Sequence, residues 1–267
     1  MCNGKLQKTK LKFKKIKQYT LNMLSVKHQK RIAIAGCFRS GTNYTKTLLE
    51  TNFHCQVKND LFGWKHGFIP IITKDSSLDH TVSFDAGVFV TKNPFSFLVS
   101  LFNYFESVGK NIQAEKEFSQ FIASKIIIRD SGQINSPSLR FSSPIELWNM
   151  MNWNYLSSPN FTHISYEALL ENPETYINQI AKQINIVKKK GPLKFPTKQV
   201  KRMKDNHKFV ILEEYESTQS FNKSSYQDHQ YMNRYTLSDI ELILERLDDE
   251  LVQQLGYTDL INFLVKK

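Results

Sequence analysis

Arg31-Ile-Ala-Ile-Ala-Gly-Cys-Phe-Arg-Ser-Gly-Thr-Asn43, running on to Glu50, is the stretch from which the rest of the chain can be read. Ile32, Ala33, Ile34 and Ala35 form a short apolar run, the pattern of a strand buried on both faces. Gly36 to Gly41 reads as a loop and Thr42 to Glu50 as a helix, with Leu48 and Leu49 available to face a sheet. Two glycines, Gly36 and Gly41, let the backbone turn with its N–H groups inward, and the helix N-terminus adds partial positive charge. A strand–loop–helix of this kind holds a phosphate. The nucleotide-triphosphatase form of the loop is G-x-x-x-x-G-K-[ST]. Here Thr42 follows Gly41 directly, Asn43 stands where a hydroxyl would bind magnesium, and the positive charge lies inside the loop at Arg39. The spacing predicts a phosphate-like ligand gripped without a metal.

Outward from the loop, strands and helices alternate. Phe53 to Val57 reads as a strand, and Val88, Phe89 and Val90 as a buried one ending at Lys92-Asn93-Pro94, where Asn93 can cap and Pro94 can open a helix. Phe97, Leu98, Leu101 and Phe105 continue that helix at helical spacing. Polar helices are expected near Glu115–Lys125 and Pro144–Tyr155, and a late strand at Phe161–Ile164. A helix should open at Asn172-Pro173, and one long amphipathic helix should run from Leu237 to Leu255, ending at Gly256. The alternation predicts an α/β protein, a three-layer P-loop-like domain whose central parallel sheet is flanked by helices. In such sheets ligands bind at the carboxyl ends of the strands.

The chain has 267 residues, 40% hydrophobic and 12% aromatic, enough to bury a sizeable core. It divides into a basic N-terminal arm, residues 1–30, and a folded domain, 31–267. The formal charge of +11 is concentrated in the arm, which holds nine lysines and no acid. The arm is expected to be a solvated tail or a contact for a membrane surface or polyanion. A second basic stretch runs from Lys188 to Lys208, and it reads as a solvated face or as a rim for an anionic ligand. No apolar run approaches the length of a bilayer span and no signal peptide is visible, so a cytoplasmic protein is expected, with peripheral membrane contact through the basic arm as the alternative. Cys2, Cys37 and Cys55 offer neither a metal spacing nor a disulfide framework. Apart from net charge, nothing in the sequence points to specific nucleic-acid binding.

Taken together, four ordered motifs and a carboxy-terminal helix ending resemble the sulfotransferases that use 3′-phosphoadenosine 5′-phosphosulfate (PAPS). Gly36-Cys-Phe-Arg-Ser-Gly-Thr42 is similar to that family's 5′-phosphosulfate loop, in the arginine form common among carbohydrate-directed members. Val88-Phe-Val-Thr-Lys-Asn-Pro-Phe-Ser-Phe-Leu-Val-Ser100 is similar to its 3′-phosphate motif, with Lys92 where the family has arginine. A cation at the strand end and a hydroxyl two turns into the next helix can converge on one phosphate. Gly63-Trp-Lys-His66 matches a segment whose histidine is the general base. Ile164-Ser-Tyr-Glu-Ala-Leu-Leu-Glu-Asn-Pro173 matches a segment whose tyrosine lies near the adenine. Leu255-Gly-Tyr257 is similar to a common carboxy-terminal helix ending. The resemblance covers about residues 31–260.

That resemblance implies a metal-free, in-line transfer of a sulfuryl group from PAPS to an acceptor hydroxyl, with a glycan as the favoured acceptor. His66 and Arg39 would be catalytic. Arg39, Ser40, Gly41, Thr42, Asn43, Lys92, Ser100 and Tyr166 would bind the cofactor. Lys65 reads equally as an ordering or a solvated residue. Trp64, Trp148 and Trp153 could stack on a base or sugar, though aromatic residues at helical spacing more often belong to a core. Two competing classes stay open: a P-loop phosphotransferase acting on ATP or GTP, which the missing lysine after Gly41 disfavours, and a non-catalytic polyanion-binding protein, suggested by the basic stretches.

Overall fold

A computed structural model describes residues 29–59, 65–69, 84–108, 112–128, 138–195, 200–204, 210–214, 226 and 228–266. Nearly all of the basic arm, together with Cys2, Trp64, Lys198 and Lys208, lies outside these residues.

The chain is an α/β protein with a central four-stranded parallel sheet. Its strands are β1 (Lys30–Ala35), β2 (Cys55–Lys58), β3 (Ala86–Thr91) and β7 (Phe161–Ser165), in the spatial order β2-β1-β3-β7. The register pairs Ile34 with Val88, Ala35 with Phe89, and Thr91 with Ser165. The apolar runs of β1 and β3 have a simple cause, because both faces of the sheet are covered. Ile32, Ile34, Val88, Val90 and Ile164 pack on one side beneath helices α1 (Thr42–Asn52), α5 (Tyr166–Glu171) and α6 (Pro173–Gln183). Ala35 and Phe89 turn to the other side and join α2 (Pro94–Val108), α3 (Phe118–Ala123) and α4 (Pro144–Leu156). Continuous rather than alternating hydrophobicity is what a strand between two helical layers requires.

Several boundaries move. The strand expected from Phe53 starts at Cys55, because Phe53 ends α1 and makes an isolated bridge to Lys188. The helices expected to be polar are present, but α4 is a core helix with Trp148 and Met151 buried. The single long helix at 237–255 is two helices, α7 (Leu237–Arg246) and α8 (Asp249–Gln254). Leu247 is extended between them, and the Asp248 side chain accepts from the Leu251 N–H, so a second cap competes successfully with helix continuation. α9 (Thr258–Leu264) follows after Gly256, whose φ of +74° is the left-handed helix stop that favours glycine. A three-stranded antiparallel sheet of β4 (Ile112–Gln113), β5 (Ile126–Ile128) and β6 (Leu139–Phe141), and a hairpin of β8 (Val200–Lys204) and β9 (Val210–Glu214), have no counterpart in the sequence reading. Among the described residues no helix is long and apolar enough to cross a membrane.

Parallel pairing sets up the site. The carboxyl ends of β1, β3 and β7 lie at one edge of the sheet, so the 36–41 loop, Lys92-Asn93 and Tyr166 emerge side by side.

Candidate functional site

The loop is held tight by contacts that only glycine allows. A Cβ on Gly36 would lie 2.6 Å from both the Ser40 Oγ and the Val90 carbonyl, and one on Gly41 would lie 2.2 Å from the Tyr166 ring. Gly41 also has a φ of +95° and immediately precedes α1, so its carbonyl accepts the first helical bond from Thr45 at 3.0 Å. Ser40 and Thr42 are buried. The Ser40 hydroxyl has no hydrogen-bond partner among the described residues, an uncommon state for a buried polar atom. Arg39 is exposed, has a φ of +59°, and lies 5.6 Å over the ring of Tyr104 on α2.

Residues 65–67 close one wall of the loop. The Gly36 N–H donates to the Lys65 carbonyl at 3.1 Å, and the His66 Nδ1 lies 2.7 Å from the Gly36 carbonyl. A carbonyl only accepts, so Nδ1 carries the proton and Nε2 is the basic nitrogen of the neutral ring. Phe38 stacks on the imidazole with centroids 4.6 Å apart and planes 19° from parallel. The Lys65 ammonium donates to the Asn43 Oδ1, tying this wall to the start of α1. Burial first, then the charges of Lys65 and Arg39, hold the His66 pKa down to about 3. Burial, Lys46 and Arg39 likewise bring Lys65 down to about 8. Lys46 and Arg39 therefore make Lys65 harder to keep protonated, and Lys65 and Arg39 do the same to His66.

The second cation lies one strand away. Lys92 follows β3 and is only 1% exposed. Its ammonium donates to the Ser100 Oγ at 2.7 Å, so the pair predicted eight residues apart does meet. It also lies 4.0 Å from the ring centre of Tyr226 and 5.2 Å from that of Tyr166. Among the described residues no carboxylate comes within ion-pair distance of it. Burial lowers its pKa, with Tyr226 and Glu167 opposing that shift. The nearby Glu167 is engaged elsewhere. It accepts from the Asn93 N–H and side-chain amide at 3.0 and 2.7 Å, and from the Tyr257 hydroxyl at 3.1 Å. Asn93 caps α2 by accepting from the Ser96 N–H at 2.9 Å, and the Trp148 indole N–H donates to the Lys92 carbonyl at 2.8 Å. These bonds fix the backbone on which Lys92 stands, and Trp148 is thereby a core residue.

Tyr166 joins the two cationic centres. One side of its ring packs on Gly41, and Lys92 lies beside it. The Arg39 charge acts on both centres, lowering Lys65 and His66 at one and Lys92 and Tyr226 at the other. Arg39, Ser40, Gly41, Thr42, Asn43, His66, Lys92, Ser100 and Tyr166 thus gather at one edge of the sheet, where several cationic side chains meet.

Residues 188–194 of the second basic stretch lie elsewhere. The Lys189 N–H donates to the Asn52 carbonyl at 2.8 Å, and the Lys194 N–H to the Asn52 side chain at 2.7 Å. Asn52 ends α1, about 15 Å along the helix axis from the loop at its start. A rim role for Lys188, Lys189 and Lys194 at the phosphate loop is therefore set aside. Tyr226, Tyr104 and Phe38 are site neighbours that the sequence reading did not name.

No protein-family model matches the chain, and no curated protein matches it.

Proposed function

We propose that the chain is a PAPS-dependent sulfotransferase acting on an acceptor hydroxyl, with a glycan as the favoured acceptor. The observation that carries this reading is the pairing of two polar sites on adjacent strands. One is a glycine loop with a buried, unpartnered Ser40 hydroxyl. The other is a buried lysine with no carboxylate partner among the described residues. A buried charge is costly without a counter-ion, and a ligand with phosphates at both ends suits the two sites.

The residues fit PAPS in three respects. Gly36 and Gly41 let Val90 and the Tyr166 ring pack directly on the loop backbone, where a Cβ would clash, and so hold its conformation. The donor set of Ser40, Thr42, Asn43, Arg39 and Lys65 carries no acid. Lys92 with Ser100 supplies charge and a hydroxyl for a second phosphate. PAPS supplies an activated sulfuryl group whose leaving group is a 5′-phosphate.

The chain's own residues would do the rest. Arg39 and the loop N–H groups stabilise charge at the reacting centre, and preorganised donors of this kind are worth on the order of 10²–10³ in rate. His66 takes the acceptor's proton on Nε2, while the Gly36 carbonyl keeps the ring in the required tautomer. With a pKa near 3 the imidazole is a weak base. Negative charge held in the loop offsets Arg39 and Lys65 and moves that pKa back towards its ordinary value, so the base strengthens when the anion is bound. Tyr166 braces the loop from below rather than standing open as a platform.

An acceptor screen with radiolabelled PAPS and a panel of glycans tests this. Labelled product is expected, falling by about 10²–10⁴ in His66→Ala with the unfolding transition intact. Failure to label any acceptor, or full activity in His66→Ala, would falsify the assignment.

A further inference from the structure

The edge of the sheet opposite the loop gathers charge of its own. Residues 175–204 hold eight lysines, one arginine and no acid, much as the arm holds lysines alone. The fold joins the two segments. Lys30 opens β1, and its ammonium reaches the Ile184 carbonyl at 3.5 Å. The His54 N–H, just before β2, donates to the Val187 carbonyl at 2.8 Å. Residues 184–194 therefore run along the amino ends of β1 and β2 and the last turn of α1.

Part of this charge has an internal task. The Lys189 ammonium donates to the Glu50 carbonyl, and Lys182 stands in the last turn of α6, where a helix end favours a cation. Lys188, Lys190 and Lys194 do not share it. They are exposed and make no ion pair among the described residues. Two apolar side chains lie in the same segment, Val187 at 67% and Phe195 at 38% exposure. The bond from His54 pins the Val187 backbone, so its side chain is held at the surface.

We propose that residues 187–195 form a surface that docks the protein on anionic lipid. Lysines are point charges, suited to the diffuse negative potential of a leaflet, whereas recognition of individual phosphates favours the arginine fork. Exposed apolar side chains beside them can enter the boundary between headgroups and acyl chains. The acid-free arm joins the fold at this same edge, through Lys30. Docked in this way, the protein keeps its phosphate loop at the far end of α1, about 15 Å along the helix axis from Asn52. The inference stands independently of the sulfotransferase reading.

Flotation of the full chain with vesicles of phosphatidylcholine and phosphatidylserine, and of phosphatidylcholine alone, tests it. The wild type should float with the anionic vesicles only. Each lysine near such a surface is worth about fivefold, so combined Lys188→Gln, Lys190→Gln and Lys194→Gln should weaken binding on the order of 100-fold with the thermal unfolding transition unchanged. Val187→Ser with Phe195→Ser should weaken vesicle binding several-fold and leave binding to heparin as it was. A wild type that ignores phosphatidylserine, or a triple variant that binds as well as the wild type, would overturn the proposal. So would a serine variant with full vesicle affinity beside a triple variant that loses heparin equally, since the surface would then be a general polyanion site.

Discussion

The loop after β1 and the cation after β3 face the same edge of the sheet from adjacent strands, yet they are made of different material. The loop works with backbone. Its glycines let Val90 and the Tyr166 ring pack on bare backbone, and its one charged side chain, Arg39, is exposed. The β3 site works with side chains. A buried ammonium is framed by Ser100, Tyr166 and Tyr226, drawn from three separate parts of the chain. A backbone grip depends on conformation and should tolerate changes in charge but not in shape. A side-chain grip should behave in the opposite way.

Gly41→Ala should have the largest effect. Its Cβ would strike the Tyr166 ring at 2.2 Å, at a φ of +95°. Strain and overpacking together should lower stability by roughly 3 kcal/mol. Urea unfolding reads this directly, and a variant as stable as the wild type would show that the loop is not conformationally locked.

Arg39→Ala separates shape from charge within the loop. Turnover should fall on the order of 10²–10³, whereas stability should stay within about 0.5 kcal/mol because the side chain is exposed. Steady-state kinetics beside thermal unfolding checks both halves, and a parallel loss of fold would remove the distinction.

Lys92→Met is the counterpart at β3. It removes a desolvated charge and keeps the length of the side chain. Stability should be unchanged or higher, while affinity for bisphosphoadenosine should drop roughly 30-fold or more. A variant that unfolds easily but binds well would reverse the roles assigned to the two sites.

The smallest effect concerns protons. His66 and His163 are held down to about 3 and about 4, the latter by burial. In the unfolded chain both titrate near the ordinary value of about 6.5. Between those values the unfolded state binds more protons, so stability falls as pH drops below about 6.5. Urea midpoints from pH 7 to pH 4 should show this decline, and His66→Gln should make it shallower. Parallel curves for the two proteins would mean that the His66 ring is not held neutral.

How much of this was legible follows from sequence separation. The loop could be read because glycine spacing, a buried strand and a helix start all lie within twenty residues. Lys92 and Ser100 could be paired because helix geometry fixes two turns. The polar frame could not. Glu167 meets Asn93 across 74 residues and Tyr226 meets Ser100 across 126, distances at which no local periodicity operates. The break at Leu247–Asp248 was missed because the amphipathic pattern continues across it, while an aspartate cap decides locally against one helix. The pKa of His66 was likewise beyond the sequence, since it depends on Phe38, Lys65 and Arg39 enclosing the ring.

The central claim is that both grips hold one ligand with a phosphate at each end. Isothermal titration of the wild type with 3′,5′-bisphosphoadenosine in the presence of EDTA tests it most directly. The account predicts one-to-one binding, tighter than that of 5′-AMP and unaffected by excess ATP with magnesium. Absence of binding, or binding displaced by magnesium ATP, would contradict it.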